Sequence, residues 1–435
     1  MINLSIKKLL NGTYVNPDDT GFLKIGIKQI VIERSLETQE LELIKELNLG
    51  KKLGLVFDSN TFEVLGKRID HSLSNSFNLK KIGLPINIDA NITLIDQLLY
   101  EFNDVDAVIA VGSGTINDLC KFATFKLNKP YVIFGTSPSV NGYCSMNASI
   151  TDGHIKKSFK AHLPTAVFLD LTVLSSAPVK MIQAGLGDSI CRSTAQTDWL
   201  LSHILLETPY KKAPFNLLSE DENYLFENSA KLLEKDMNVM AALARTLILS
   251  GCGMTLCGGS YPASQGEHLL SHYMEWYHKD KKMNLLHGEQ IAVTTLTMAR
   301  LQHKILSLST LPLLDEPTVN KEQIIDHFGP EIGEDFWDEY ATKIAYFLHK
   351  DKINKILKNS WNDIKKEILN ISLPPHTLEQ TLLNINAPTT IQHVGWSKDS
   401  YKNALFYAKT MRNRYTFLDF VADTNNTSFL QSLSH

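Results

Sequence analysis

Positive charge is not in excess in this chain. Its 43 Lys and Arg residues are outnumbered by 47 Asp and Glu, for a formal net charge of −4. Nucleic acid and anionic membrane are therefore not expected as partners. Long apolar runs are also missing. None approaches the ~20 residues of a spanning helix, so no membrane insertion is expected. The N-terminal MINLSIKKLLNGTYVNPDD has neither the apolar stretch nor the small-residue cleavage site of a signal peptide. Cysteine is scarce and unpatterned. The five residues (Cys120, Cys144, Cys191, Cys252, Cys257) are odd in number and none forms a C-x-x-C pair. Cys257, five residues after Cys252, fits no common zinc spacing. These features fit free thiols in a reducing cytoplasm better than a disulfide framework. There is no internal repeat and no low-complexity tract.

What is present is an ordinary globular composition, 43% hydrophobic and 21% charged over 435 residues, long enough for two domains. The first half alternates short apolar runs with helical segments. Strands are expected at Leu53–Asp58, Ala107–Val111, Tyr131–Gly135 and Ala166–Asp170, and a helix at Thr115–Leu127. This reads as a parallel sheet with helices on both faces. From about Val179 onward the periodicity is helical. Helices are expected over Asp221–Ser250, Ser264–Tyr277, Leu285–His303, Glu334–Leu348, Ile353–Leu369 and Lys398–Arg412, with a surface connection at Ser307–Lys321. The fold class is thus an α/β Rossmann-like N-terminal domain, residues 1–175, and an all-α C-terminal domain, residues 176–435. The boundary falls at Ser175–Pro178.

Two regions carry chemistry. In VIAVGSGTINDLCK (Val108–Lys121) a strand ends in Gly112 and Gly114 and a helix begins. Such a turn brings backbone N–H groups and a positive dipole end to a diphosphate. Asn117 stands where the third glycine of G-x-G-x-x-G belongs, so taken alone the turn is equally a tight connection with no ligand. A second small polar loop, Gly135–Ser139, follows the next strand, and two such loops at one sheet edge favour a crevice. Asp58 either bonds a ribose hydroxyl or caps a helix. The second region joins Asp188 in GLGDSICR, His268 in GEHLLSH and His287 in LHGEQ. One carboxylate and two imidazoles suit a borderline divalent cation with an open position for substrate. The competing readings are an N-cap for Asp188, after a Gly-x-Gly bend, and hydrogen-bonded structural histidines. Glu267 and Glu289 are either acceptors that fix the imidazole tautomers or exposed helix residues.

In these residues the chain resembles the sn-glycerol-1-phosphate dehydrogenases, most of all their bacterial branch. That family lies within the iron-containing alcohol dehydrogenase and dehydroquinate synthase-like superfamily. The resemblance rests on VGSGTIND (Val111–Asp118), GTSPSVNGYCS (Gly135–Ser145), GLGD (Gly185–Asp188), PASQGEHLLSHYME (Pro262–Glu275), LHGEQIAV (Leu286–Val293) and RNRYTFLD (Arg412–Asp419). It implies an NAD(P)-binding domain, a helical domain and an active site in the cleft between them. Asp188, His268 and His287 would hold one divalent metal, zinc with nickel or iron as alternatives. His272 would sit beside the substrate. Gly112, Gly114, Thr115, Ile116, Asn117, Asp118, Thr136, Ser137, Ser139 and Ser145 would line NAD or NADP. The implied reaction is reduction of dihydroxyacetone phosphate to sn-glycerol 1-phosphate in phospholipid synthesis. The partner is then a small phosphorylated substrate, and the assembly a homo-oligomer, dimer or higher.

One residue departs from the family. Where an aspartate is usual, the chain has Asn141, which keeps the shape but cannot act as a base. A dehydrogenase of another polyol phosphate or sugar-derived alcohol, in surface-polysaccharide or lipid synthesis, is therefore the alternative. A lyase of the dehydroquinate synthase type and a non-catalytic binding protein are further rivals. The first lacks extra basic residues around Asn141, and the second has no need of a polarising metal.

Overall fold

The computed structural model of the chain describes residues 3–153, 155–281, 283–317 and 319–431. They group into two units. Unit 1 takes Met1–Ser189 with Lys212–Ser260, and unit 2 takes Ile190–Lys211 with Tyr261–His435.

Unit 1 is built on six strands: β1 (Gln29–Glu33), β2 (Lys52–Asp58), β3 (Asn78–Leu84), β4 (Ala107–Gly112), β5 (Tyr131–Gly135) and β6 (Ala166–Asp170). They lie in the order β1-β6-β5-β4-β2-β3, and every pairing is parallel. The central strands β4, β5 and β6 are buried along their whole length. A parallel sheet covered by helices on both faces requires this, and it is why AVIAVG, YVIFG and AVFLD are continuous apolar runs. All four expected strands are present. The two that sequence reading missed, β1 and β3, are the sheet edges. An edge strand is partly solvated, so its apolar signal is diluted, as the two lysines of NLKKIGL show.

The strand order creates a crevice at one edge of the sheet. From β2 the chain goes to β3 on one side and then to β4 on the other. The carboxyl ends of β2 and β4 therefore flank a topological switch point, where an open parallel sheet forms a crevice. Asp58 ends β2, and the Gly112–Gly114 turn ends β4.

Two expectations about the second half need correction. The division does not fall at Ser175–Pro178. It falls inside the Val179–Ile190 helix, and Lys212–Ser260 returns to unit 1. The cause is close packing of the Met237–Cys257 helix on the Asn141–Cys144 segment. A Cβ on Gly251 would lie 2.5 Å from the Asn141 carbonyl oxygen, and the Thr255 hydroxyl donates to Cys144 O (2.8 Å). Nor is Asp221–Ser250 one helix. Ala213–Glu227 ends, Ser229–Leu232 makes a 3-10 turn, and Lys235 takes a left-handed φ of 60°. Asp236 then caps a new helix, accepting from the Asn238 and Val239 amides (2.8 and 3.1 Å).

That new helix, Met237–Cys257, also corrects the expectation about apolar runs. It has 21 residues and a mean hydropathy of 1.6, enough to cross a bilayer by length and composition. Its most apolar window is 78% buried inside the protein. Its one charged residue, Arg245, donates through Nε to Asp221 (2.9 Å). It has the features of the core helix of a large unit.

Unit 2 is helical, and its described residues include no strand. Helices Arg192–Leu206, Gly266–Tyr277, His287–Leu306, Lys350–Leu369 and Lys398–Tyr407 share a core that includes Leu201, Leu270, Tyr273, Leu301, Leu357 and Tyr401. The expected helix at Ser264 begins two residues later, at Gly266. There the Gly266 amide donates to buried Asp198 (3.0 Å). Residues 432–435 of the C-terminal tail lie outside the described residues.

Candidate active site

In unit 1 the Gly114–Lys126 helix starts immediately after β4. Its N-cap, Ser113, makes no side-chain cap hydrogen bond, and Ser113, Gly114 and Thr115 are partly exposed. An N-terminus left without a side-chain cap suits an anion. Gly112 and Gly114 are close-packed positions: a Cβ would meet Ile116 at 2.6 Å in the first case and Val140 at 3.2 Å in the second. Ile116 and Asn117 are buried, and Asn117 accepts from the Tyr131 hydroxyl (3.4 Å). Asp118 has a supporting role. It accepts from the Ser149 amide (3.0 Å) and pairs with fully buried Lys121 (3.3 Å), which also donates to Gly142 O and Asn147 O (2.8 and 2.9 Å). This network holds the 142–149 loop against the helix.

The second polar loop is equally ordered. The Thr136 amide donates to Gly112 O (3.1 Å), tying the two loops together. The Ser137 and Ser139 hydroxyls bond each other (2.9 Å), and Ser145 accepts from the Asn147 amide (3.1 Å). Asp58 is a helix cap. It accepts from the Thr61 amide (2.8 Å), and the Thr61 hydroxyl accepts from the Asp58 amide (3.0 Å).

Asp188 is not at a bend. It lies near the end of the Val179–Ile190 helix. Gly185 serves close approach instead: a Cβ there would stand 1.6 Å from the Pro138 carbonyl oxygen. The helix thus rests on the 135–139 loop, and Asp188 accepts from the Asn141 amide (2.9 Å). The Asn141 side chain donates to the Ser250 hydroxyl (3.3 Å).

In unit 2 the two histidines meet. His268 Nε2 and His287 Nε2 are 3.3 Å apart. His268 Nδ1 lies 2.9 Å from Glu267 Oε1. A carboxylate accepts, so Nδ1 carries the proton and Nε2 is left with its lone pair. His287 Nε2 can face this lone pair with its own lone pair or with a proton, and in the first tautomer the two nitrogens suit one shared cation. Glu267 is fully buried and accepts from the Gln265 amide (2.8 Å) and the Thr194 hydroxyl (3.2 Å). Burial raises its carboxyl, against those donors and Arg414. Of the two candidate acceptors, Glu267 therefore fixes the tautomer. Glu289 instead accepts from the Leu286 amide (2.7 Å), capping the His287–Leu306 helix. A different ligand group, Cys191 with Glu267 and His268, is also compact. Its thiol donates to Ala263 O (3.6 Å), and its carboxylate is committed to His268.

His272, one turn beyond His268, bonds Glu275 through Nδ1 (3.2 Å). Its ring centre is 6.0 Å from that of His268 and 6.2 Å from that of His287. Burial, then the Arg412 charge, push its pKa down to about 4. Burial also lowers His162, His278, His303 and His327. Each takes up a proton more readily unfolded than folded. Stability is therefore lost as pH falls below the unfolded value of about 6.5, a loss that for His272 is complete near pH 4. Burial raises the Asp198 and Asp423 carboxyls to about 8 and about 7, and these act with the opposite sign, so the His272 share is read by comparing variants: between pH 7 and pH 5, His272→Gln should lose about 1–2 kcal/mol less stability than wild type in thermal melts.

The "iron-containing alcohol dehydrogenase" family model matches residues 31–178. A glycerol-1-phosphate dehydrogenase [NAD(P)+] of Geobacillus thermodenitrificans is 34% identical over 91% of this chain and 92% of its own. The chain belongs to the glycerol-1-phosphate dehydrogenase family. The Bacillus subtilis member is 27% identical over 91% of each chain. In solved structures the fold recurs in a glycerol dehydrogenase of Schizosaccharomyces pombe (TM-score 0.62, 16% identity, 97% of this chain and 92% of that one). It recurs also in an NADH-dependent butanol dehydrogenase of Thermotoga maritima (TM-score 0.62, 12% identity, 97% of this chain and 100% of that one). This is the α/β-plus-helical, dehydroquinate synthase-like architecture expected from the sequence. As a member of this family the chain is an NAD(P)-dependent oxidoreductase.

Sequence reasoning missed Asp198, Gln302 and Thr194. Asp198 accepts from Gly266 N, Phe417 N and Gln302 Nε2, each at 3.0 Å, and Thr194 bonds Glu267. They lie in polar stretches, RSTAQTD (Arg192–Asp198) and RLQHK (Arg300–Lys304), that read as solvated helix faces, and spacing alone does not reveal their partners.

Proposed function

We propose that this protein reduces dihydroxyacetone phosphate to sn-glycerol 1-phosphate, using NADH or NADPH and one divalent metal. The observation that carries the reading is the Glu267–His268–His287 arrangement, two imidazole nitrogens converging with one tautomer fixed by a buried carboxylate. His268, His287 and Asp188 are the proposed ligands, a nitrogen and oxygen set suited to zinc, with nickel and iron as alternatives. When bound, the nicotinamide supplies a hydride and the metal supplies Lewis acidity at the substrate oxygen.

The chain's own residues do the rest. The turn after β4 binds the diphosphate on helix amides, and Thr136, Ser137, Ser139 and Ser145 line the nicotinamide side. Asp58, at the switch point, is proposed to accept from a ribose hydroxyl through the carboxylate oxygen not used in capping. His272 is neutral at pH 7. With Nδ1–H held by the Glu275 carboxylate, Nε2 of the neutral ring is an acceptor: in reduction it takes a proton from solvent water, leaving hydroxide, and passes it to the substrate oxygen as the hydride arrives at carbon. The assembly is proposed to be a cytoplasmic homo-oligomer.

The test is loss of reduced-cofactor absorbance with dihydroxyacetone phosphate, with zinc, nickel or iron(II) supplied in turn. Metal-dependent oxidation is expected, and its absence with all three metals overturns the reading. Asn141 supports a second reading, a related polyol phosphate as substrate. Asn141→Asp should fold normally, because the Ser250 hydroxyl can donate to a carboxylate as readily as it accepts from an amide. Its kcat/KM for dihydroxyacetone phosphate should rise about tenfold, the size of one charge-assisted hydrogen bond. A fall would favour the second reading.

A further inference from the structure

Arg412 is a cation whose surroundings are fixed and whose side chain is not engaged. It follows the 3-10 turn Ala408–Met411, with extended backbone (φ −149°, ψ 152°), and that turn packs on the Gly266–Tyr277 helix carrying His268 and His272. The flanking residues are pinned. The Asn413 amide donates to Glu339 (2.9 Å), and the Arg414 amide donates to Arg412 O (2.8 Å). The Arg414 guanidinium lies 4.7 Å from the Tyr261 ring centre and donates to Ser264 O. Yet the Arg412 side chain has no hydrogen bond and no ion pair among the described residues. Glu275 and Glu339 act on it only at longer range. Glu275 is bonded to His272 and Gln290, and Glu339 to the Asn413 amide.

Two other buried basic groups of this unit are committed. Lys343 is paired with Asp419 (2.6 Å). Lys409 is buried alongside Asp419 and Asp423. Arg412 as a whole is partly exposed, while burial is the main influence on its guanidinium and lowers its pKa, so the cation is largely desolvated without a bonded partner. A guanidinium offers five N–H donors in a planar fork that matches two oxygens of a phosphate. Its charge reaches His272, the residue read here as lying beside the substrate oxygen. In dihydroxyacetone phosphate the carbonyl and the phosphate are separated by one methylene and one ester oxygen. A phosphate receptor is therefore needed within a few ångströms of the reacting oxygen.

We propose that Arg412 binds the substrate phosphate and is the residue that selects a phosphorylated ketone over its free form. This rests on the dehydrogenase reading above and adds the residue that would read the phosphate. The experiment uses the metal-loaded full-length protein as wild type, Arg412→Gln and Arg412→Lys, each checked for an unchanged thermal midpoint. First, kcat/KM is measured for dihydroxyacetone phosphate and for dihydroxyacetone. The ratio of the two should fall at least tenfold in Arg412→Gln and by less in Arg412→Lys, with most of the loss in KM. A residue with only a structural role would lower both substrates together, and an unchanged ratio overturns the proposal. Second, inorganic phosphate binding is measured by ³¹P line broadening, which does not require turnover. Several-fold weaker phosphate binding in Arg412→Gln supports the proposal even if wild type fails to reduce dihydroxyacetone phosphate, a result that would overturn only the dehydrogenase reading. Equal phosphate binding in wild type and Arg412→Gln overturns the assignment of Arg412.

Discussion

His268→Ala is expected to abolish metal retention and turnover together, with activity down about a thousandfold or more, the several kcal/mol that Lewis-acid polarisation supplies. Glu267→Gln should act through the same imidazole and be milder. Its amide can still accept from Nδ1–H, but without charge, so metal affinity should fall about 10–100-fold while some activity returns at high metal concentration. Metal content by elemental analysis and rate, measured on one preparation of each variant, separate the two effects. A His268→Ala protein that keeps its metal would remove His268 from the ligand set. A Glu267→Gln protein with wild-type metal affinity would leave the buried carboxylate a structural residue only.

The second large effect is steric. Gly185→Ala places a methyl 1.6 Å from the Pro138 carbonyl oxygen and 2.8 Å from its carbon. Both are backbone atoms, so no side chain can rotate away. Helix or loop must move, at about 3 kcal/mol or more. Because Asp188 on that helix bonds the Asn141 amide, the movement would disturb the candidate ligand and the candidate cofactor loop together. Gly26→Ala is the matched control. Its new methyl would meet only Leu163 at 3.7 Å, an ordinary contact, and stability should change by less than about 1 kcal/mol. Urea unfolding of both variants tests this. Equal midpoints would mean that the helix and loop do not pack as closely as described.

The legible parts of the fold were those whose signal is local. The central strands are continuous apolar runs because both faces are covered. The Gly112–Gly114 turn, and the His268 and His287 helices, showed in short motifs. Edge strands β1 and β3 were missed because solvent dilutes their pattern. The break at Lys235–Asp236 was missed because a single capping aspartate interrupts otherwise continuous helical periodicity. The domain boundary was misplaced for a non-local reason. Gly251 matters only because the Asn141 carbonyl lies over it, and no window of sequence joins positions so far apart. The same limit hid the Asp198 and Thr194 contacts. Glu267 was recognised as a candidate, but its burial was not, since a glutamate beside a helix N-terminus is usually solvated.

The return of Lys212–Ser260 to unit 1 constrains how the chain is made. When Ser189 leaves the ribosome, unit 1 still lacks its Met237–Cys257 helix. About 70 further residues must follow, which at ~5–20 residues per second takes roughly 4–14 s. Throughout that interval the carbonyls of the Asn141–Cys144 segment and the apolar surface around them have no cover. The helix itself then emerges as 21 mostly apolar residues, long enough to resemble a membrane anchor to any factor that samples nascent chains. The protein therefore cannot be divided into two halves that are each contiguous in sequence. A fragment stopping at Lys211 should be an obligate client of chaperones, while one extended to Ser260 carries every segment that unit 1 needs.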